Sequence, residues 1–118
     1  MRCEHLVVWQ RAVELVTRVY RDVEVARGES DLVRQMRSAA VSIASNIAEG
    51  CQREGDAEFA HFLSIACGSC AEVECQLRLG KRIGALRGRT LPDIIVLSQE
   101  VGWMLRALGR RVRSGNSR

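Results

Sequence analysis

The sequence predicts an all-α protein, an antiparallel, up-down-up-down, left-handed four-helix bundle. Three observations lead there. The 118 residues include one proline, Pro92, too few for a turn-rich β fold. Apolar residues recur three and four apart in four separate segments, the period of a helix face. The links between these segments are short, and short links join antiparallel neighbours. Sustained heptad spacing adds shallow crossing angles and the left-handed twist. A single domain, residues 1–118, is expected. A chain of this size buries roughly two-thirds of its unfolded surface and needs no metal or disulfide staple.

Helices are expected over about 5–26, 31–49, 56–86 and 91–113, with the tail 114–118 frayed. In the first, Leu6, Trp9, Val13, Val16, Tyr20 and Val23 form the apolar stripe, and Gly28 suits its C-terminus. The second opens at Ser30, a good N-cap, with Asp31 in the first turn where the helix dipole favours an anion. Its stripe is Val33, Met36, Ala40, Ile43 and Ile47, and Gly50 stops it. The third opens at Asp56, carries Phe59, Phe62, Ala66, Cys70, Val73 and Leu77, and is loosened at its end by Gly84 and Gly88. Thr90, Pro92 and Asp93 open the fourth in the manner of a capping box, ahead of Ile94, Leu97, Val101, Met104, Leu108 and Val112.

Apolar residues outside these stripes remain. Val7, Val8, Leu15, Val19, Ile65, Leu79, Ile95 and Val96 fall at the flanks, more than one bundle core takes in, and self-association is the economical way to bury them. Small residues crowd helix two at 38–45 and helix three at 66–71, so two backbones can approach closely, either as tight packing within the subunit or as a groove.

No apolar run reaches the ~20 residues that cross a bilayer, and residues 1–11 lack the apolar core of a signal peptide, so a cytoplasmic protein without membrane contact is expected. In that reducing compartment the five cysteines are expected as free thiols. Cys67 and Cys70 form a CxxC, but in mid-helix, away from the helix N-terminus that would lower a thiol pKa. Cys70 and Cys75 point about 140° apart on a helix and cannot share a zinc ion. His5 and His61 are the only histidines and complete no ExxH or HExxH pair. There is no phosphate-binding glycine loop and no nucleophile elbow. No catalytic residue, metal site or cofactor is therefore expected, and the chain reads as a non-enzyme. Asn46, beside the second stripe, reads as a structural polar residue, fixing register or capping the turn after Gly50.

The net charge is +4, and 17 of the 18 basic residues are arginine, the better bidentate partner for phosphate. In an up-down bundle one pole gathers Arg18, Arg21, Arg27, Arg34, Arg37, Arg78, Lys81, Arg82, Arg87 and Arg89 against Asp22, Glu24, Glu29, Asp31 and Asp93. A pole with ten basic and five acidic residues attracts a phosphate backbone. Arg34, Arg37, Arg78, Lys81, Arg82, Arg87 and Arg89 are the residues expected to contact it. Trp9, Trp103, Tyr20, Phe59 and Phe62 read as core residues, which leaves little for stacking on bases.

The run 32–50, with Gln35, Arg37, Ala39, Ala40, Ser42, Ile43, Asn46, Ile47, Ala48, Glu49 and Gly50, resembles the Q-R-R-A-A-x-S-I-x-x-N-I-A-E-G segment of the four-helix-bundle proteins encoded in 23S rRNA intervening sequences. Glu58, Phe59, Phe62, Leu63, Ile65, Ala66, Gly68, Ser69, Glu72, Gln76 and Leu77 resemble that family's next segment, and residues 6–12 look like its first helix. Met36, Cys51 and Cys70 depart from the pattern, and the loop after helix one lacks an F-P pair. The likeness spans about residues 6–108. It implies an up-down bundle assembled as a homopentameric ring in bacteria, similar in architecture to the accessory protein of diversity-generating retroelements, and it implies no reaction. The expected function is that of a non-catalytic homo-oligomer, a pentamer by resemblance, whose basic pole binds RNA or DNA backbone. The alternative is an assembly or adaptor protein that binds a protein partner.

Overall fold

Val7–Arg21 (α1), Glu24–Val25 (β1), Ser30–Cys51 (α2), Asp56–Arg82 (α3), Leu86–Arg87 (β2) and Leu91–Arg113 (α4) follow one another in a computed structural model that describes Cys3 and residues 6–115. The fold is all-α, with four helices and one two-stranded ribbon. Each helix packs on its neighbours in sequence, and α4 closes the ring against α1. Contacts along the helices set their directions. Gly50 meets Phe59 and Phe62, and Ser42 meets Ser69, so α2 and α3 run antiparallel. Cys70 meets Ser98, and Leu63 and Ser64, earlier in α3, line one cleft with Gly109 and Arg113, later in α4, so α3 and α4 do too.

Helix four has the expected bounds. Helix one is shorter than the expected 5–26, ending at Arg21 because the chain turns out to form β1, which pairs antiparallel with β2: Glu24 opposite Arg87 and Val25 opposite Leu86. The same pairing ends α3 at Arg82 rather than 86. Gly28 therefore serves the turn before α2, at φ +89°, and not the end of α1. Helix two starts one residue earlier than expected and runs past Gly50 to Cys51. Gly50 is a packing residue, not a stop signal: a Cβ there would lie 2.9 Å from Phe62 Cβ. Thr90 is the N-cap of α4, without a side-chain cap hydrogen bond, whereas Ser30 and Asp56 are the first residues of their helices, which have Glu29 and Gly55 at the N-cap. Of the tail expected to fray, Ser114 and Gly115 form a turn and 116–118 lie outside the described residues, as does residue 5, where helix one was expected to begin.

The core follows the expected stripes in α2, α3 and α4, with Val33, Phe62 and Met104 half-buried at its margin and Leu63, Leu91, Ile95 and Leu105 added. In α1 it does not. Val8, Ala12, Leu15 and Val19 are buried, while Trp9, Val13 and Val16 are half-buried and Tyr20 is exposed. The two candidate stripes differ by one residue, a rotation of about 100°, and both have helical spacing. The bundle takes the stripe with the smaller Ala12 and leaves Tyr20 outside, where Arg37 lies 4.7 Å from its ring. Trp103, also expected in the core, is 63% exposed.

One expected free thiol pair is bonded. Cys3 and Cys51 form a disulfide with Cα atoms 5.9 Å apart, within the ordinary span. They are 48 residues apart in sequence and meet only because the segment before α1 returns to the end of α2. Cys67, Cys70 and Cys75 are free thiols, as expected.

Gly80 holds the ribbon in place. A Cβ there would stand 2.5 Å from both Cγ and Cδ1 of Leu86, which is buried. Ala at this helical position would gain about 1 kcal/mol of propensity. Overpacking costs about 1–3 kcal/mol and outweighs it. Gly80→Ala should therefore lower stability to urea by about 1 kcal/mol, with Leu86→Ala relieving the clash in a double-mutant cycle. A Gly80→Ala protein as stable as wild type would show that Leu86 is not locked on α3.

Candidate functional site

The ribbon decides where the basic residues go. Because β1 pairs with β2, and Ala26 N–H donates to Ala85 O at 2.8 Å, the segments 21–27 and 81–89 lie side by side at one pole. Gly88, at φ +132°, allows a close pass: a Cβ there would be 3.0 Å from Asp22 O. The pole thus has a backbone frame that helical periodicity does not reveal.

The seven expected contact residues divide into two groups. Arg34 pairs with Asp31, and Arg78 Nε donates to Glu74 at 2.9 Å. Arg37 is half-buried, and its Nη2 donates to Tyr20 O at 3.3 Å. Its guanidinium ties α2 to the end of α1 and is poorly placed to meet a ligand. Lys81, Arg82, Arg87 and Arg89 are exposed and make no ion pair among the described residues, and Arg21 and Arg27 share that state. Arg18 is joined to Asp22. Six cations at one pole therefore make no ion pair among the described residues, although Glu24 stands opposite Arg87 in the ribbon.

A polar groove of about 470 Å³ opens beside this pole between α2 and α3, lined by Arg34, Gln35, Ser38, Ser42, Ser69 and Glu72. Ser42 Oγ and Ser69 Oγ lie 2.9 Å apart at its floor, and Asn46 Nδ2 donates to Ser42 O at 2.8 Å and to Ser42 Oγ at 3.0 Å. The crowded small residues are therefore both a tight helix contact and the wall of a groove. Asn46 is bonded within its own helix and does not cap the turn after Gly50.

A second groove, apolar and about 320 Å³, lies between α1 and α4, lined by Leu6, Val7, Val8, Trp103, Met104 and Leu108. Val7 is 58% exposed there. Of the residues expected at the flanks, Val7, Ile65, Leu79 and Val96 are exposed, while Val8, Leu15, Val19 and Ile95 belong to the core.

The two thiols of the CxxC, Cys67 and Cys70, are held towards their protonated form. Cys70 Sγ donates to Ser98 O at 3.2 Å. Burial pushes its pKa up to about 12, with Cys67 and Glu74 adding to the rise and Arg106 opposing it. Burial also raises Cys67, with Arg106 and Arg113 pulling the other way. No group of His, Cys, Asp and Glu among the described residues could hold a metal ion. Among the same residues no helix is long and apolar enough to cross a membrane.

These features define a four-helix protein with a framed basic pole. The model of the 23S rRNA-intervening sequence protein family matches residues 4–107, and the chain belongs to that family. It is similar to the crystal structure of a protein of unknown function from the S23 ribosomal protein family of Bacteroides thetaiotaomicron. The two are 23% identical with a TM-score of 0.74, over 88% of this chain and 96% of that one, a likeness that shows the fold alone. No curated protein matches the sequence.

A thiol raised by burial stays protonated at neutral pH, and its neutral form favours the folded state. The contribution of Cys70 to stability is therefore intact below the ordinary thiol range and is lost as pH rises towards about 12. Iodoacetamide at pH 8 should accordingly label the exposed Cys75 first and Cys70 only on unfolding, as peptide mass mapping would read. Rapid labelling of Cys70 in the native protein would contradict its burial.

Proposed function

We propose that this protein is a non-catalytic, self-associating bundle that binds RNA or DNA backbone through its basic pole. The observation that carries this reading is the set of six exposed cations, Arg21, Arg27, Lys81, Arg82, Arg87 and Arg89, without carboxylate partners on a pole braced by the β1–β2 ribbon. Unpaired cations can neutralise phosphates directly and release the counterions condensed on the nucleic acid, whereas Arg34 and Arg78 would first have to leave a carboxylate. Backbone recognition is the natural mode, since the exposed aromatics, Tyr20 and Trp103, lie one beneath Arg37 and the other in the apolar groove. The protonated thiols support the absence of redox chemistry at the CxxC.

Affinity for single-stranded RNA, read by fluorescence anisotropy across a salt series, should fall steeply as salt rises. The combined Arg78→Glu, Arg82→Glu, Arg87→Glu, Arg89→Glu variant should lose binding while keeping its helicity. Of the four single restorations, that of Arg78 should recover least, because Arg78 is held by Glu74. Salt-insensitive binding, or binding unchanged in the variant, would sink the assignment.

Self-association is supported by the apolar groove between α1 and α4. Burying Val7 and Trp103 against another subunit would remove a large apolar surface from water. Light scattering should give a mass several times that of one chain, and Trp103→Glu should reduce it. A monomeric wild-type protein would assign the groove to a different protein partner, the second reading of this surface.

A further inference from the structure

The half of the α3–α4 face remote from the basic pole carries a feature that the reading above does not use. On α4 two glycines stand seven residues apart, Gly102 and Gly109, and each is followed four residues later by an arginine, Arg106 and Arg113. Each arginine folds back over its glycine. A Cβ at Gly102 would stand 3.2 Å from Arg106 Nη1, and one at Gly109 would stand 3.2 Å from Arg113 Nη1 and 3.5 Å from its Nη2. The missing side chains are therefore the seats of two guanidinium forks. Both forks line one cleft of about 170 Å³ between α3 and α4, together with Ser64, Cys67, Leu63 and Leu105.

Neither arginine makes an ion pair among the described residues. The thiol of Cys67, half-buried at the cleft, lies within the field of both. Positions seven apart on a helix are about 10 Å apart along its axis. That is too far for two forks to close on a single tetrahedral oxyanion and suits two linked ones. Each planar fork can take one phosphate bidentately. Ser64 Oγ supplies a neutral donor at the wall, and the buried Leu63 and Leu105 give the cleft its apolar lining.

The geometry points to an anion-binding site for a diphosphate group, formed by Arg106 and Arg113 seated on Gly102 and Gly109, with Ser64 and Cys67 at its wall. Inorganic pyrophosphate and a nucleoside diphosphate share this chemistry. The site is separate from the basic pole, which occupies the other end of α3 and α4, and it does not depend on nucleic-acid binding.

Isothermal titration calorimetry on the full chain, with Cys75→Ser to remove the exposed thiol, tests it with pyrophosphate, a nucleoside diphosphate and orthophosphate. Pyrophosphate should bind at least tenfold more tightly than orthophosphate. Tighter binding of the nucleoside diphosphate would identify a nucleotide as the source; equal binding would identify the diphosphate alone. Arg106→Gln and Arg113→Gln should each weaken pyrophosphate binding by tenfold or more with unchanged circular dichroism. Gly109→Ala, which crowds Arg113 without displacing it far, should weaken it less. Bound pyrophosphate should also slow alkylation of Cys67 by iodoacetamide. Orthophosphate binding as tightly as pyrophosphate would overturn the two-fork geometry. Absence of binding and of protection, or binding that survives both Gln variants and disappears with Arg87→Glu and Arg89→Glu, would overturn the site.

Discussion

Close approach to α3 is the constraint on which the rest of the molecule depends. Three elements come against this helix at points where a side chain is missing or short. Gly50 of α2 rests on Phe59 and Phe62, Ser42 meets Ser69 midway, and Leu86 of the ribbon is seated on Gly80. Gly102 of α4 approaches Cys70, at 3.6 Å from an added Cβ to Sγ. Interiors pack at crystal-like density, so a single methyl group at such a point is felt. Small residues here set the helix spacing; large ones, such as Leu15, Leu63, Leu77 and Leu105, then fill the core.

That spacing has consequences at both ends of the bundle. At one end the seating of Leu86 pins β2, and the pairing of β2 with β1 gathers the α1–α2 and α3–α4 connections into one backbone unit. Arginines on this unit are held at a fixed pole, and those without an ion pair remain available. At the other end the Cys3–Cys51 disulfide ties the segment before α1 to the end of α2. Arg53 there pairs with Glu49 and lies 5.1 Å over the Phe62 ring. Along the middle, Arg11 bonds both Glu14 and Glu100 and so joins α1 to α4, an exposed pairing worth little by itself.

The same arginine-rich composition produces groups of different availability. Arg34 and Arg78 are paired on their own helices, Arg18 pairs with Asp22 at the C-cap of α1, Arg37 braces the end of α1, and Arg106 and Arg113 lie in glycine seats. Net charge describes none of this. What distinguishes the groups is the local partner of each guanidinium, and spacing alone does not set it: Arg27 and Arg89 have Asp31 and Asp93 four residues on and make no ion pair with them.

Much of the architecture is legible in the sequence because it rests on local physics. Helical spacing marks four helices, and the stripes of α2, α3 and α4 name most of their buried residues. The family signature around Ser42, Asn46 and Glu49 can be read without coordinates. The sequence also locates the basic residues of the pole. Tertiary structure alone decides four matters. It selects the Val8–Val19 stripe of α1 over its equally periodic neighbour, because only packing distinguishes faces one residue apart. It forms the β1–β2 ribbon, since a two-residue strand has no periodicity to detect. It joins Cys3 to Cys51 across 48 residues, a contact that no local pattern encodes. It separates paired from unpaired arginines, because a guanidinium's partner depends on side-chain geometry that the order of residues does not specify.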